Sequence, residues 1–313
     1  MGGKARYLKR VKTLIFNFQS LRWASQLFFF LLLNAVIFGV TPLALVLPVL
    51  NSSGTSQKIV GDAFAAMQQQ LYQAVFPWIP LASFFLFAVL LGRATCGWVC
   101  PYGFIQDILG YFKRKHTEAS PRTHKQMLNV KYVILAIVIF IVAIMGTIAA
   151  LGVGTSYRNM LGEFGEAPFN FFSPADTMLA IIPKMALNFR YALAEQSSST
   201  ILSDITSFSL LFWVRLGILV AVIVLAVYVP RSWCRYLCPH GALLASLNRF
   251  SFLGLKREAI KCTKATCRDC VKVCPMRVPI LDLPWEKFSD PECIYCLRCV
   301  DVCSTNAIKP KFP

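Results

Sequence analysis

Apolar residues in this chain run in long unbroken blocks, unlike the alternation of strands or the single stripe of surface helices. Four blocks are long enough to cross a bilayer: Trp23 to Pro48, Leu71 to Leu91, Val130 to Val153 and Leu210 to Val229. Each is near the ~20 residues that a spanning helix needs. The first block follows a basic stretch, where a cleaved signal peptide is the competing reading. Its apolar run exceeds the ~7–15 residues of a signal core, which favours a signal anchor. Charged or Gly/Pro/Ser-rich turns separate the other three, so they read as distinct helices.

Composition supports a bilayer over a large soluble core. Of 313 residues, 56% are hydrophobic and 15% charged, where soluble domains carry roughly a quarter charged. The net charge of +17 is concentrated at block ends. Lys4, Arg6, Lys9, Arg10 and Lys12 precede the first block. Lys113, Arg114, Lys115, Arg122 and Lys125 lie between the second and third, and Arg231 and Arg235 follow the fourth. The segments 51–70 and 154–209 are poor in basic residues; in the latter, Arg158, Lys184 and Arg190 meet Glu163, Glu166, Asp176, Glu195 and Asp204. Four spans place every basic region on one side, with both termini cytoplasmic. No nucleic-acid signature is present, and a nucleic-acid partner is not expected. All twelve cysteines fall in the inner regions or at their membrane edge, which suits reduced thiols and not a secreted disulfide framework.

The densest chemistry is in 256–313. Cys262, Cys267, Cys270 and Cys274 form one run, with Pro275 next, and Cys293, Cys296, Cys299 and Cys303 form another. The second has the C-x2-C-x2-C-x3-C spacing of two-cluster ferredoxins, in which three thiolates wrap one cubane and the fourth reaches the other. This assigns Cys262, Cys267, Cys270 and Cys303 to one [4Fe–4S] cluster, and Cys293, Cys296, Cys299 and Cys274 to a second. The wider Cys262–Cys267 loop leaves [3Fe–4S] open at the first. Zinc is the competing occupant of four-cysteine sites.

The other four cysteines lie in an internal repeat. Arg93-Ala-Thr-Cys96-Gly-Trp-Val-Cys100-Pro101-Tyr-Gly103 follows the second block, and Arg231-Ser-Trp-Cys234-Arg-Tyr-Leu-Cys238-Pro239-His-Gly241 follows the fourth. Both read R-x-x-C-x-x-x-C-P-x-G, and an amphipathic stretch follows each. Proline suits the first turn of a helix, so the preceding cysteine sits at a helix start, where the dipole favours thiolate. Cys96, Cys100, Cys234 and Cys238 are the candidate ligands of a third centre, iron–sulfur or mononuclear iron. The alternatives are two dithiols or plain packing. The fold expected is an α-helical membrane protein with four transmembrane helices in two parallel repeats (1–255), plus a small C-terminal α+β two-cluster ferredoxin-like domain (256–313).

These hairpins, spans and the two-cluster tail resemble the NosR/NapH group of membrane proteins, most specifically around Cys96–Gly103, Cys234–Gly241 and Pro291–Val302. The resemblance covers most of the chain and is closest to the minimal NapH type, without the flavin-bearing or extra C-terminal domains of longer members. It implies a quinol dehydrogenase-like oxidoreductase subunit in the bacterial cytoplasmic (inner) membrane. Its substrate would be membrane quinol, and its partners other iron–sulfur or cytochrome redox subunits. The rival functions are a redox assembly factor that reduces a metal or thiol in another enzyme, and a structural anchor. Quinol oxidation needs acids or histidines beside an apolar pocket. The candidates are Glu163, Glu166 and Asp176, which flank the apolar run 167–174, and His240, two residues after Cys238. The run 167–174 reads equally as an interfacial loop with aromatic anchors, and His240 as a helix-start residue. His116 and His124 are expected to be solvated.

Overall fold

Proline marks the start of six of the described helices, and glycine the end of two. The computed structural model describes residues 17–33, 46–50, 61–112, 120–152, 167–182, 210–262 and 267–312. Helix α1 (Phe18–Leu33) occupies the described part of the first apolar block. A short parallel pair, β1 (Val46–Leu47) and β2 (Gly61–Asp62), leads into α2 (Ala63–Tyr72). Helix α3 (Trp78–Leu91) starts after Pro77 and ends at Gly92, where φ is 60°. A Cβ at Gly92 would also collide with Asn248, so glycine is needed there on two counts.

The second block therefore differs from the expected span. It is broken at 73–77, and α3 has only 14 residues, a rise of about 21 Å against a ~30 Å hydrocarbon core. Two short helices follow, α4 (Ala94–Trp98) and α5 (Pro101–Leu109). Helix α6 (Pro121–Ala150) is N-capped by Ser120, whose hydroxyl accepts from the Thr123 amide at 3.2 Å. Among the described residues, α6 is the one helix long and apolar enough by itself to cross a membrane. Helices α7 (Pro168–Phe172) and α8 (Pro174–Asp176) run into a wide turn at 177–181. Helix α9 (Leu210–Tyr228) matches the fourth block. A wide turn at Trp233–Leu237 and α10 (Pro239–Leu247) complete the second repeat.

In the tail, β3 (Gly254–Arg257) pairs antiparallel with β4 (Ile308–Lys311), Gly254 opposite Lys311. Two one-turn helices, α11 (Asp269–Lys272) and α12 (Arg298–Asp301), carry cysteines between them. Strand β3 straddles the boundary expected at 255/256, so the tail grows directly out of the second repeat.

Two segments expected on the far side of the membrane from the hairpins fold inward instead. Helix α2 buries Phe64, Met67 and Gln68 and packs along α6. Gly146 of α6 makes that approach possible, because a Cβ there would lie 2.3 Å from the Leu71 carbonyl oxygen. The run 167–174 does not lie flat as an interfacial loop: Ala167, Phe169, Asn170, Ser173 and Pro174 are buried, while Phe172 is exposed. Gln68 fixes its start by accepting from the Phe169 amide at 3.1 Å.

The tail is docked, not tethered. The indole of Trp98 donates to the Tyr295 carbonyl at 2.9 Å. The carboxylate of Asp301 accepts from the amides of Phe18 and Gln19 at 3.3 and 3.1 Å, capping α1 from the tail side. Gly97 sits so close that a Cβ would lie 2.3 Å from the Ile294 carbonyl oxygen. Gly97→Ala should therefore force the tail off the first hairpin at a cost of about 1–3 kcal/mol. The expected readouts are a lower thermal midpoint and faster proteolysis of the tail, with no change in secondary-structure content.

Candidate metal centres

Each hairpin turns on a cysteine–proline step. Cys100 is the N-cap of α5 with Pro101 in the first turn, and Cys238 is the N-cap of α10 with Pro239 in the first turn. The two hairpins pack against each other although the pairs are far apart in the chain. All four thiols are buried and free. Burial pushes the Cys100 thiol up to about 12, and Cys234 and Cys96 push it further in the same direction. Burial likewise raises Cys238, followed by Cys234, Cys96 and Cys100. Four buried thiols that repel one another's charge suit a cationic centre, which would hold them as thiolates.

The arginine that opens each repeat explains how the hairpins meet. Arg93 Nη2 donates to the Cys234 carbonyl at 3.2 Å, and Arg231 Nη1 donates to the Cys96 carbonyl at 3.0 Å. Each hairpin thus reaches the first cysteine of the other. The glycine that closes each motif makes the room. A Cβ on Gly103 would lie 2.9 Å from the Cys96 carbonyl oxygen, and one on Gly241 would lie 2.9 Å from Arg93 Nη2. Gln106 adds an asymmetric clasp: its amide donates to Cys234 Sγ at 3.0 Å and accepts from the Trp233 amide at 3.1 Å.

Both arginines are fully buried, so each requires an anion. Arg231 is paired with Asp107 through Nε at 3.0 Å and through Nη2. Asp107 also receives Arg22 at 2.9 Å and Arg298 at 3.3 Å. Burial alone would raise the Asp107 pKa, but Arg231, Arg22 and Arg298 together hold it well below the usual carboxylate range. Arg93 is paired with Glu292 at 2.9 Å, which Lys131 shares at 2.5 Å.

In the tail, Cys274, Cys293, Cys296 and Cys299 line one hollow with Met276, Ile280 and Leu297. These are the four residues assigned above to a single cluster. Burial raises the Cys270 thiol, and the nearby Cys262, Cys267 and Cys303 add to the effect. The two runs end alike. Cys274 Sγ accepts from the Val278 amide at 3.4 Å and Cys303 Sγ from the Ala307 amide at 3.2 Å. Arg277 and Asn306, three residues beyond each cysteine, both have positive φ, at 57° and 51°. Ser304 in place of proline leaves this geometry intact. Among the described residues no three His, Cys, Asp or Glu side chains converge closely enough to hold a single metal ion. Sets of four thiols suit iron–sulfur clusters, which when bound would supply one-electron carriers.

The weak acid–base candidates separate. Glu163, Glu166 and His116 lie outside the described residues. Asp176 faces Arg215 at 3.7 Å. His124 is not simply solvated: its Nδ1 is 2.8 Å from the Tyr236 hydroxyl. His240 is buried, with Nε2 2.7 Å from Asp62 Oδ1. The same oxygen caps α2 through the Phe64 and Ala65 amides. The rings of Phe64, Phe84 and Phe169 surround the imidazole at 5.0, 6.0 and 6.2 Å. Sequence spacing gave no hint of Asp62, nor of the carboxylates Asp107 and Glu292; the only clue to the arginines was their recurrence in the repeat.

A family model described as a 4Fe-4S binding domain matches residues 74–117 and 211–258, which include both hairpins. A 4Fe-4S dicluster domain model matches 261–308. Both cysteine-bearing regions thus match 4Fe-4S domain models, and the chain resembles ferredoxin-type proteins. Among its relatives, the putative electron transport protein YccM of Escherichia coli is 25% identical over 71% of this chain and 52% of its own length. The ferredoxin-type protein NapH of the same organism is 25% identical over 71% and 62%. The regulatory protein NosR of Pseudomonas aeruginosa is 25% identical over 67% of this chain and 24% of its own length. The resemblance to the NosR/NapH group holds. An uncharacterized protein of Methanocaldococcus jannaschii is 26% identical over 71% of this chain, and the chain spans 65% of it. No solved structure matches.

If the hairpin thiols hold one centre, Cys96→Ser and Cys234→Ser should give the same defect, and the double variant should be little worse than either single one. Iron content and EPR of anaerobically purified protein would check this, with the tail signals retained. Asp107→Asn should leave three guanidinium groups around a neutral side chain and destabilise the fold by about 3–5 kcal/mol, measured as a fall in the thermal midpoint.

Proposed function

We propose that this protein is a four-span subunit of the cytoplasmic membrane that moves electrons between the quinol pool and partner iron–sulfur or cytochrome proteins. Electron transfer itself follows from the 4Fe-4S domains and the ferredoxin-type relatives; the quinol and the topology are the proposed part. The apolar blocks support four spans: α1 lies in the first, α3 in the second, and α6 and α9 in the third and fourth. Cys262, Cys267, Cys270 and Cys303 would hold one cluster, Cys293, Cys296, Cys299 and Cys274 the second, and Cys96, Cys100, Cys234 and Cys238 a third.

The observation that carries the quinol reading is the Asp62–His240 pair. With Nε2 donating to the carboxylate, the imidazole keeps Nδ1 as an acceptor, and that atom has no partner among the described residues. It is enclosed by phenyl rings and lies two residues from Cys238. A quinol hydroxyl could donate there with its ring among the aromatics. Oxidation to quinone then gives two electrons to the chain and two protons to solvent. Trp98, between Cys96 and Cys100, contacts the tail loop at Tyr295, so the hairpins adjoin both the aromatic cage, through His240, and the docked tail.

Asp62→Asn should slow reduction of the protein by a short-chain quinol at least tenfold, within the ~10²–10⁴ range of acid–base partners. Its reduction by dithionite should be unchanged. Equal rates with quinol in both proteins would reject this site, and no reduction of the wild-type protein by quinol would reject the function.

A further inference from the structure

The two hairpins are related by a near two-fold, but their counter-ions are not. Arg231 of the second repeat is neutralised by Asp107 of the first. By the same relation Arg93 should be neutralised from the second repeat at the position matching Asp107. That residue is Ala245, fully buried on α10. Positions 241 and 245 are one turn apart on one helix face, and Gly241 is the residue packed against Arg93 Nη2. Position 245 therefore faces the arginine and offers it no charge. The missing anion comes from the tail: Glu292, immediately before Cys293, takes Arg93 Nη1 at 2.9 Å. The Pro291 carbonyl takes the same nitrogen at 3.0 Å.

We propose that Glu292 is a positioning residue for the hairpin centre: the docked tail supplies the carboxylate that the second repeat lacks. A buried arginine without an anion does not keep its place, and Arg93 is the group that draws the Cys234 backbone into the shared site. The hairpin centre then forms only on a docked tail. This rests on the reading of Cys96, Cys100, Cys234 and Cys238 as ligands of one centre.

The test uses the full chain, purified anaerobically, with iron and sulfide counted and EPR recorded. Glu292→Gln should lose the iron beyond the two tail clusters, together with its signal, while the tail signals persist. Ala245→Asp added to Glu292→Gln restores a carboxylate where the two-fold calls for one, and should regain that iron. Lys131→Met removes the other cation at Glu292 and leaves Arg93 its carboxylate, and should keep it. Full hairpin iron in Glu292→Gln would overturn the proposal. So would failure of Ala245→Asp to restore it, or an equal loss in Lys131→Met, since the effect would then be general to the fold. Cys96→Ser tests the underlying reading separately: if it leaves iron content at the wild-type level, the hairpins hold no metal and that reading falls instead.

Discussion

One buried carboxylate organises this protein. Asp107 is almost without solvent, yet it receives guanidinium groups from α1, from the second hairpin and from the tail. An ion cluster like this is weak evidence for net stability, because removing four charged groups from water costs heavily. Its value is in specificity. Three cationic segments far apart in sequence can share this one carboxylate in only one arrangement, and that arrangement sets hairpin against hairpin and tail against both. Arg22 and Gln26 show the extent of the effect: α1 enters an apolar block with polar residues on its buried face, because that face looks at Asp107 and the Gly97 carbonyl.

Much of this was legible before any coordinates. Cysteine spacing divides the tail thiols into two sets, since loop length limits which corners of a cube one segment can reach, and Cys274, Cys293, Cys296 and Cys299 line one hollow. The repeated R-x-x-C-x-x-x-C-P-x-G motif puts four thiols at equivalent helix starts. Each motif position has a use that spacing alone does not reveal: arginine reaches across, proline starts the helix, glycine leaves room for the other arginine. What could not be read was long-range polar pairing. Asp62 and His240 are 178 residues apart, in segments that charge counting places on opposite sides of a bilayer. Hydropathy also starts the second block at Leu71, in the last turn of α2, because the break before Pro77 is short and its flanks are equally apolar. The signals were present at Pro77 and at Asp62, an ordinary N-cap residue, but neither says where its helix packs.

The tail carries a duplication of its own. Arg277 and Asn306 adopt left-handed backbone at the same place after the last cysteine of each run, and each is followed by an amide that donates to that cysteine's sulfur. Tyr295 and Leu297, on either side of Cys296, are left-handed as well. Non-glycine residues resist this conformation by roughly 1–2 kcal/mol each. They hold it here because the surrounding packing leaves no alternative: Tyr295 and Leu297 are buried between the hairpin and the cysteine hollow.

Two equal halves facing each other make a centre with no front and no back. The thiols, arginines, prolines and glycines of the hairpins obey that equality, and the exceptions break it. Where the first repeat has Tyr102, the second has His240, and a polar pair with Asp62 appears on one flank. Where the first repeat has Asp107, the second has Ala245, and the unclaimed Arg93 is taken by the tail on another. Symmetry sets the two hairpins face to face and its violations give them unlike flanks, so a duplicated scaffold needs few changes to tell its two sides apart.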